Sequence, residues 1–179
     1  MKYDVIIVGA GPAGIFSALE LTEKNNLNIL ILDIGPDIDQ RKCPSSRGFD
    51  CQHCEPCAVL SGWGGAGAYS DGKLTLSTEV GGWLNQYVSH KELEALVKYV
   101  DGTYLKYGAN EQVYGEDIEK VDEIERKASL AGLKLIRQKI RHMGTEKCVE
   151  TLRRMRRELN GKIVFHPNTD VKGLIAEND

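Results

Sequence analysis

Several features are scarce in this 179-residue chain, and each scarcity excludes something. Charge of one sign is not in excess: 23 Lys and Arg stand against 26 Asp and Glu, for a net charge of −3. Without a basic surplus there is no electrostatic reason to expect nucleic acid or an anionic membrane surface as a partner. Long hydrophobic runs are missing too, since no stretch approaches the ~18 apolar residues of a membrane helix. The apolar run that starts at Tyr3 is short and leads to no cleavage-type segment, unlike a secretory leader. The expected compartment is therefore the cytoplasm, where cysteines serve as metal ligands, redox groups or plain thiols more often than as disulfides. No grouping of Ser, His and Asp suited to hydrolysis is legible, and neither internal repeats nor low-complexity segments occur. What the chain does have is 41% apolar residues, enough for a real core, and 19 glycines, eight of which fall in two short stretches.

The first concentration follows an apolar run. Val5-Ile6-Ile7-Val8 suits a strand buried on both faces. Gly9, Gly11 and Gly14 come next, and the apolar-periodic stretch from Ile15 reads as a helix. In such a unit the first glycine makes a tight turn, the second admits a pyrophosphate, and the third lets helix meet strand. The free N–H groups of the helix's first turn point at the anion. A second apolar run, Ile29 to Leu32, ends at Asp33, about 20 residues beyond the last glycine, where an acid can grip a ribose hydroxyl. Strand, glycines, helix, strand and terminal acid in this order point to a dinucleotide site.

Taken in order, residues 3–8 are expected as a strand, 12–25 as a helix closed by Asn25-Asn26, and 28–32 as a parallel second strand. Residues 34–72 show neither period, and a loop that long is functional or disordered. Lys73–Ser77 alternates like a short strand. Helical spacing returns over 90–107, 117–131 and 144–159, with Gly108 and Gly132 as stops. A strand is expected over 133–140 and a strand pair over 162–166 and 170–175. The domains so drawn are 1–80 with the glycine loops and cysteines, a mainly helical insertion at 81–160, and a return at 161–179.

The second concentration is Ser61-Gly62-Trp63-Gly64-Gly65-Ala66-Gly67-Ala68-Tyr69-Ser70-Asp71-Gly72-Lys73. Such a loop can press its backbone against a flat ligand, and consecutive N–H groups can form an anion nest. Trp63 and Tyr69 are placed to flank an aromatic ring; the alternative is a flexible surface loop.

The run Val8 to Gly14, with the acid closing strand 2, resembles the FAD-binding half of flavoprotein oxidoreductases. Gly62 to Leu74, preceded by clustered cysteines, resembles the FAD-dependent dehydrogenases of bacteria and archaea, a branch of the glutathione-reductase-like FAD fold. Arg141-His142-Met143-Gly144-Thr145-Glu146 is similar to that family's His-Xaa-Gly-Thr-Asp segment, with Glu146 in place of Asp. The implied fold is α/β: a Rossmann-like FAD-binding βαβ unit with a parallel sheet, plus an inserted helical and antiparallel segment. The resemblance implies that Gly9, Gly11 and Gly14, with Ala10, Pro12 and Ala13, hold the FAD pyrophosphate. It assigns the adenosine ribose to Asp33, followed by Ile34 and Gly35, with Arg41 or Lys42 adding charge nearby. It lays Gly64, Gly65, Ala66, Gly67 and Ala68 along the flavin, and has the backbone of Val171 meet the adenine. The late Ala-Thr-Gly and Gly-Asp segments of such domains have no counterpart before Asp179. The expectation is thus a truncated, split or partial protein, with a sheet edge that another polypeptide completes.

Cys43, Cys51, Cys54 and Cys57 lie within fifteen residues. Their spacing is open to an iron–sulfur cluster, to a tetrahedral zinc site of four thiolates or with His53 in place of one, to free thiols near a flavin, or to a redox disulfide such as Cys54–Cys57. Cys148 reads as a core thiol. Asp71-Gly72 reads as a turn, Lys73 as a turn residue or a stabiliser of reduced flavin, and His142 as structural or a proton donor. Arg153, Arg154, Arg156 and Arg157 read as a solvated helix face with i,i+4 pairs. The function expected is the FAD-binding part of a flavin-dependent oxidoreductase of unknown substrate. The alternatives are a non-catalytic nucleotide-binding fragment or subunit that needs a second polypeptide, and an NAD-binding domain.

Overall fold

The computed structural model describes residues 2–24 and 26–176. In chain order its elements are β1 (Val5–Val8), α1 (Pro12–Lys24), β2 (Ile29–Leu32), β3 (Lys73–Thr75), α2 (His90–Lys106), β4 (Val113–Tyr114), α3 (Ile118–Leu130), β5 (Ile140–His142), α4 (Thr145–Glu158) and β6 (Val164–His166). The fold is mixed α/β, with one parallel and one antiparallel three-stranded sheet. Two compact units divide the chain: residues 1–70 with 148–179, and residues 71–147. These boundaries differ from those drawn at 80/81 and 160/161. The inserted unit already begins before β3, because β3 pairs with β5, and the first unit resumes within α4.

In the first unit β2 is the central strand, with β1 parallel on one side and β6 parallel on the other. The pairing aligns Val5 with Ile29 and Leu30 with Val164. Branched residues suit this central place, and Ile29, Leu30 and Ile31 are all buried. Ile15, Ala18 and Leu19 form the buried side of α1, and fully burying an Ile or Leu side chain contributes about 1.5–3 kcal/mol. β1 differs from the expected strand with two buried faces. Ile6 and Val8 are each 57% exposed, since β1 is an edge strand and one of its faces is uncovered. From Cys148 onward, α4 buries Cys148, Thr151, Leu152 and Met155.

In the second unit β5 lies between β3 and β4, antiparallel to both. Ser89 caps α2 reciprocally with Glu92, each satisfying a backbone N–H that the helix start leaves without a partner. Arg141, on β5, is buried and makes a bidentate pair with Asp101 of α2, at 2.5 and 2.8 Å. The same guanidinium donates to the carbonyls of Asn110 and Glu111, both at 2.6 Å. A planar fork of donors suits such a crossing point. This pair joins the long helix to the short sheet, where apolar burial alone is thin.

Three expected elements differ. The strand sought over 133–140 is only β5, because Leu133 and Ile136 are exposed and their segment pairs with no strand. The strand sought over 170–175 is extended chain without a ladder, and Leu174 and Ile175 are almost fully exposed. Helix α1 ends at Lys24; of the expected closing pair, Asn25 lies outside the described residues.

Candidate functional site at the junction of two glycine loops

The first loop begins where β1 ends. Gly9 donates its N–H to the carbonyl of Leu32 at 2.7 Å and turns the chain with φ +101°, a conformation that side chains disfavour. Gly14 is required by close approach: a Cβ there would lie 2.0 Å from the Gly9 carbonyl oxygen. Gly11 is the opposite case, since a Cβ there meets nothing within 4 Å. Pro12 and Ala13 are exposed beside it. The mouth of this turn is therefore open, and the first-turn N–H groups of α1 face it at the positive end of the helix.

The second loop folds onto the first. Gly64 donates its N–H to the Ala10 carbonyl at 2.7 Å. A Cβ on Gly65 would lie 3.2 Å from the Gly11 Cα, and one on Gly67 would lie 3.8 Å from the Pro12 ring. Gly65–Tyr69 forms a short 3-10 turn, with Ala68 buried and Ala66 exposed at the mouth. The structure thus brings together Gly9 to Gly14 and Gly64 to Ala68, which are far apart in sequence.

Trp63 and Tyr69 do not flank an open ring site. Trp63 is fully buried, its indole N–H donating to the Leu152 carbonyl at 3.0 Å and its ring edge-on to Phe165. The Tyr69 hydroxyl donates to the Arg41 carbonyl at 2.8 Å, and its ring lies under the Arg41 guanidinium. Large aromatics in a glycine-rich segment anchor it from below here.

Two buried charges hold the junction. Asp33 accepts three backbone N–H groups, each at 2.7 Å: from Ala10 on one carboxylate oxygen, and from Gly35 and Gly62 on the other. A carboxylate has about four acceptor positions. Three are filled, so Asp33 is a clamp joining three loop segments, and one position remains, on the oxygen bound to Ala10, for the ribose hydroxyl expected there. Arg41 is buried and donates to the carbonyls of Ala58, Val59, Trp63 and Gly65, at 2.8–3.0 Å. Burial lowers its pKa from the ordinary arginine value. With its donors so engaged, Arg41 does not reach out to a phosphate as expected, and the exposed Lys42 beside it lies outside this network. Ile34 is exposed, whereas Gly35 is packed so tightly that a Cβ would lie 2.3 Å from the Gly62 nitrogen. Val171 is half-buried and follows Asn168 and Thr169, which donate to the carbonyls of Gly35 and Asp33 at 2.9 and 2.8 Å.

The cysteines behave differently. Cys51 and Cys54 are exposed, and Cys43 and Cys57 half-buried, all as free thiols. Among the described residues no three His, Cys, Asp or Glu side chains converge as metal ligands. The four thiols as they stand do not form a ligand set that fits a cluster or zinc ion. Cys148 is buried, as expected of a core thiol, but its Sγ also donates to the Gly67 carbonyl at 3.3 Å. Burial pushes this thiol's pKa up. Of the basic residues on α4, Arg154 makes the anticipated i,i+4 pair with Glu150 at 3.1 Å. Arg153 pairs with both Glu150 at 3.0 Å and Asp39 at 2.7 Å, Arg156 reaches Asp37 at 3.0 Å, and Arg156 lies over Trp63 and Phe165. The acidic pair flanking Ile38 was the available signal for that docking. In the second unit, Asp71 and Lys73 form an exposed ion pair at 2.7 Å, and His142 is exposed.

Compared with known proteins, the chain matches no family model and none of the curated proteins.

Proposed function

We propose that the junction of the two glycine loops binds the pyrophosphate of FAD, and that the chain is the FAD-binding part of a flavin-dependent oxidoreductase with a Rossmann-like βαβ unit. The observation that carries this reading is the open space at Gly11, set between the N-terminus of α1 and the second glycine loop. A helix N-terminus with free N–H groups suits a diphosphate. Gly9, Ala10, Gly11, Pro12, Ala13 and Gly14 would hold it, with Gly65 and Ala66 on the facing side. The flavin supplies the redox chemistry when bound, and the protein supplies binding and tuning. The roles of Asp33 and Arg41 are to hold both loops in register so that the mouth stays formed.

The test is equilibrium binding of FAD to the chain, with Gly11→Ala as the variant. An alanine there meets no protein atom, so its unfolding midpoint should match that of the parent, while FAD affinity falls at least tenfold. Unchanged affinity in Gly11→Ala, or preferential binding of NAD by the parent, would overturn the reading.

A second reading, a nucleotide-binding piece that needs a further polypeptide, draws on β1. That strand is an edge of a parallel sheet and leaves Ile6 and Val8 open, whereas parallel sheets are normally covered on both faces. FAD binding that appears only on addition of a second polypeptide would favour it. No described helix is long and apolar enough to cross a membrane.

A further inference from the structure

We propose that Cys54 and Cys57 form a dithiol site that exchanges with low-molecular-weight disulfides and closes into an intramolecular disulfide. The site stands whether or not the chain binds FAD. Spacing alone does not choose this pair, because two residues also separate Cys51 from Cys54; the course of the backbone does. A disulfide needs its Cα atoms within about 7 Å, while three residues of extended chain span roughly 10 Å. The chain bends at Glu55 and Pro56, between Cys54 and Cys57. It runs without a bend through Gln52 and His53, between Cys51 and Cys54. Closure is therefore prepared over 54–57 and not over 51–54.

The two thiols sit in unequal places. Cys54 is exposed, open to a bulky reactant, and Cys57 is half-buried. Cys57 is also held, since its carbonyl accepts the N–H groups of Leu60 and Ser61 at 3.1 and 2.9 Å. Its neighbour Ala58 accepts from Arg41 Nε at 3.0 Å, which brings a buried guanidinium to the Cys57 end of the pair. Burial lowers the Arg41 pKa, and the charges of Tyr69, Asp33 and Cys57 oppose that lowering. Reactive thiols stand in such partly exposed, electropositive surroundings, where sulfur can carry negative charge. Cys148, buried and with its pKa raised by that burial, has no such surroundings.

The exchange needs no co-reactant beyond the disulfide itself. The Cys54 thiolate attacks one sulfur of R–S–S–R and breaks its S–S bond, so that a mixed disulfide Cys54–S–S–R forms and one thiolate RS⁻ leaves. The Cys57 thiolate then attacks Cys54 Sγ and displaces the second RS⁻. The protons given up by the two cysteines end on two molecules of RSH. The dithiol is oxidised by two electrons and R–S–S–R is reduced by the same two. The exposed cysteine thus meets the reactant, and the anchored one, beside the guanidinium, completes the step.

The probe is oxidised glutathione, given anaerobically to the reduced full chain. The reaction is quenched with acid, free thiols are alkylated, and tandem mass spectrometry shows whether Cys51 or Cys57 was left to alkylate. The Cys54–Cys57 linkage is expected at least tenfold over Cys51–Cys54, with Cys148 still reduced. Cys57→Ser should stop at a mixed disulfide on Cys54, and Cys54→Ser should slow intramolecular closure at least tenfold. Circular dichroism verifies that both variants keep the fold. In urea the bend is lost, two pairs of equal spacing compete, and the preference should fall toward parity. Comparable yields of the two linkages in the folded chain, or a preference unchanged in urea, would overturn the proposal. So would a Cys57→Ser chain without the mixed disulfide, an unchanged closure rate in Cys54→Ser, or zinc or iron that co-purifies on these thiols and blocks the exchange.

Discussion

The two units handle buried charge in opposite ways. In the first, Asp33 and Arg41 do not pair with one another at all; the acid gathers backbone N–H groups and the base gathers backbone carbonyls. In the second, Arg141 and Asp101 bind each other directly, and only the arginine's remaining donor reach goes to the backbone. The difference follows the surroundings. Residues 34–72 form long loops around very short turns, and loops have backbone groups that no ladder satisfies. A buried carboxylate and a buried guanidinium supply those missing partners. In the second unit, helices and strands satisfy their own backbones, so the charges are free to join one element to another.

The largest effect expected from breaking this contrast is at Arg41. Arg41→Met keeps much of the volume but leaves four carbonyls without their donor. A loss of about 3–5 kcal/mol is expected, on the scale of removing one partner from a buried polar network. Urea unfolding measures it, and hydrogen exchange should place the loss in residues 34–72 while amides of 71–147 keep their protection. Asp101→Ala comes next, because it strands a buried guanidinium that still has two carbonyl partners. About 2–3 kcal/mol is expected, with the exchange pattern reversed: faster in α2 and β5, unchanged around Asp33. If both variants loosen the whole chain equally, the contrast between the units is wrong.

Much of this was legible beforehand, and the rest was not, for a physical reason. β1, α1 and β2 could be read because an apolar run, glycines at fixed offsets and a 3.6-residue period are local signals. The direct contact of the two glycine loops is not a local signal; the resemblance only assigns both to one ligand, the first to its pyrophosphate and the second to its flavin. The bonds of Asp33 could not be read, since Gly62 is 29 positions away and its N–H is as anonymous as any other. The family resemblance puts Arg41 or Lys42 near the phosphates or ribose, and nothing local in the sequence says which of the two is buried. Burial of Arg41 over the Tyr69 ring and against the Trp63 carbonyl is a tertiary fact. Likewise 170–175 has the residues of a strand, but a strand is a pair, and the described chain offers it no ladder.

The smallest effect expected concerns pH. Burial disfavours ionisation of Cys148 beside the Gly67 carbonyl, so the folded chain keeps that proton to higher pH than the unfolded chain does. Its contribution to stability is whole below the ordinary thiol range and declines as pH rises through and beyond it. Urea midpoints measured from neutral to alkaline pH should fall, and Cys148→Ala should flatten that fall. A slope unchanged in Cys148→Ala would mean that the second glycine loop is not held by this thiol.

The grip of Arg41 on Ala58 and Val59 has one more consequence. It closes the chain between 42 and 57 into a purse, drawn shut at its neck by a single side chain. All four loop cysteines, from Cys43 to Cys57, belong to this purse, and at its far end the Cys57 carbonyl accepts the N–H groups of Leu60 and Ser61. Loop closure rises only slowly with length, by about 0.6 kcal/mol for each doubling. The contents can therefore lengthen, shorten or exchange their thiols for other residues while the neck stays tied. The glycine loops and the interior of the thiol-bearing loop are thus free to vary independently, although they are neighbours in sequence.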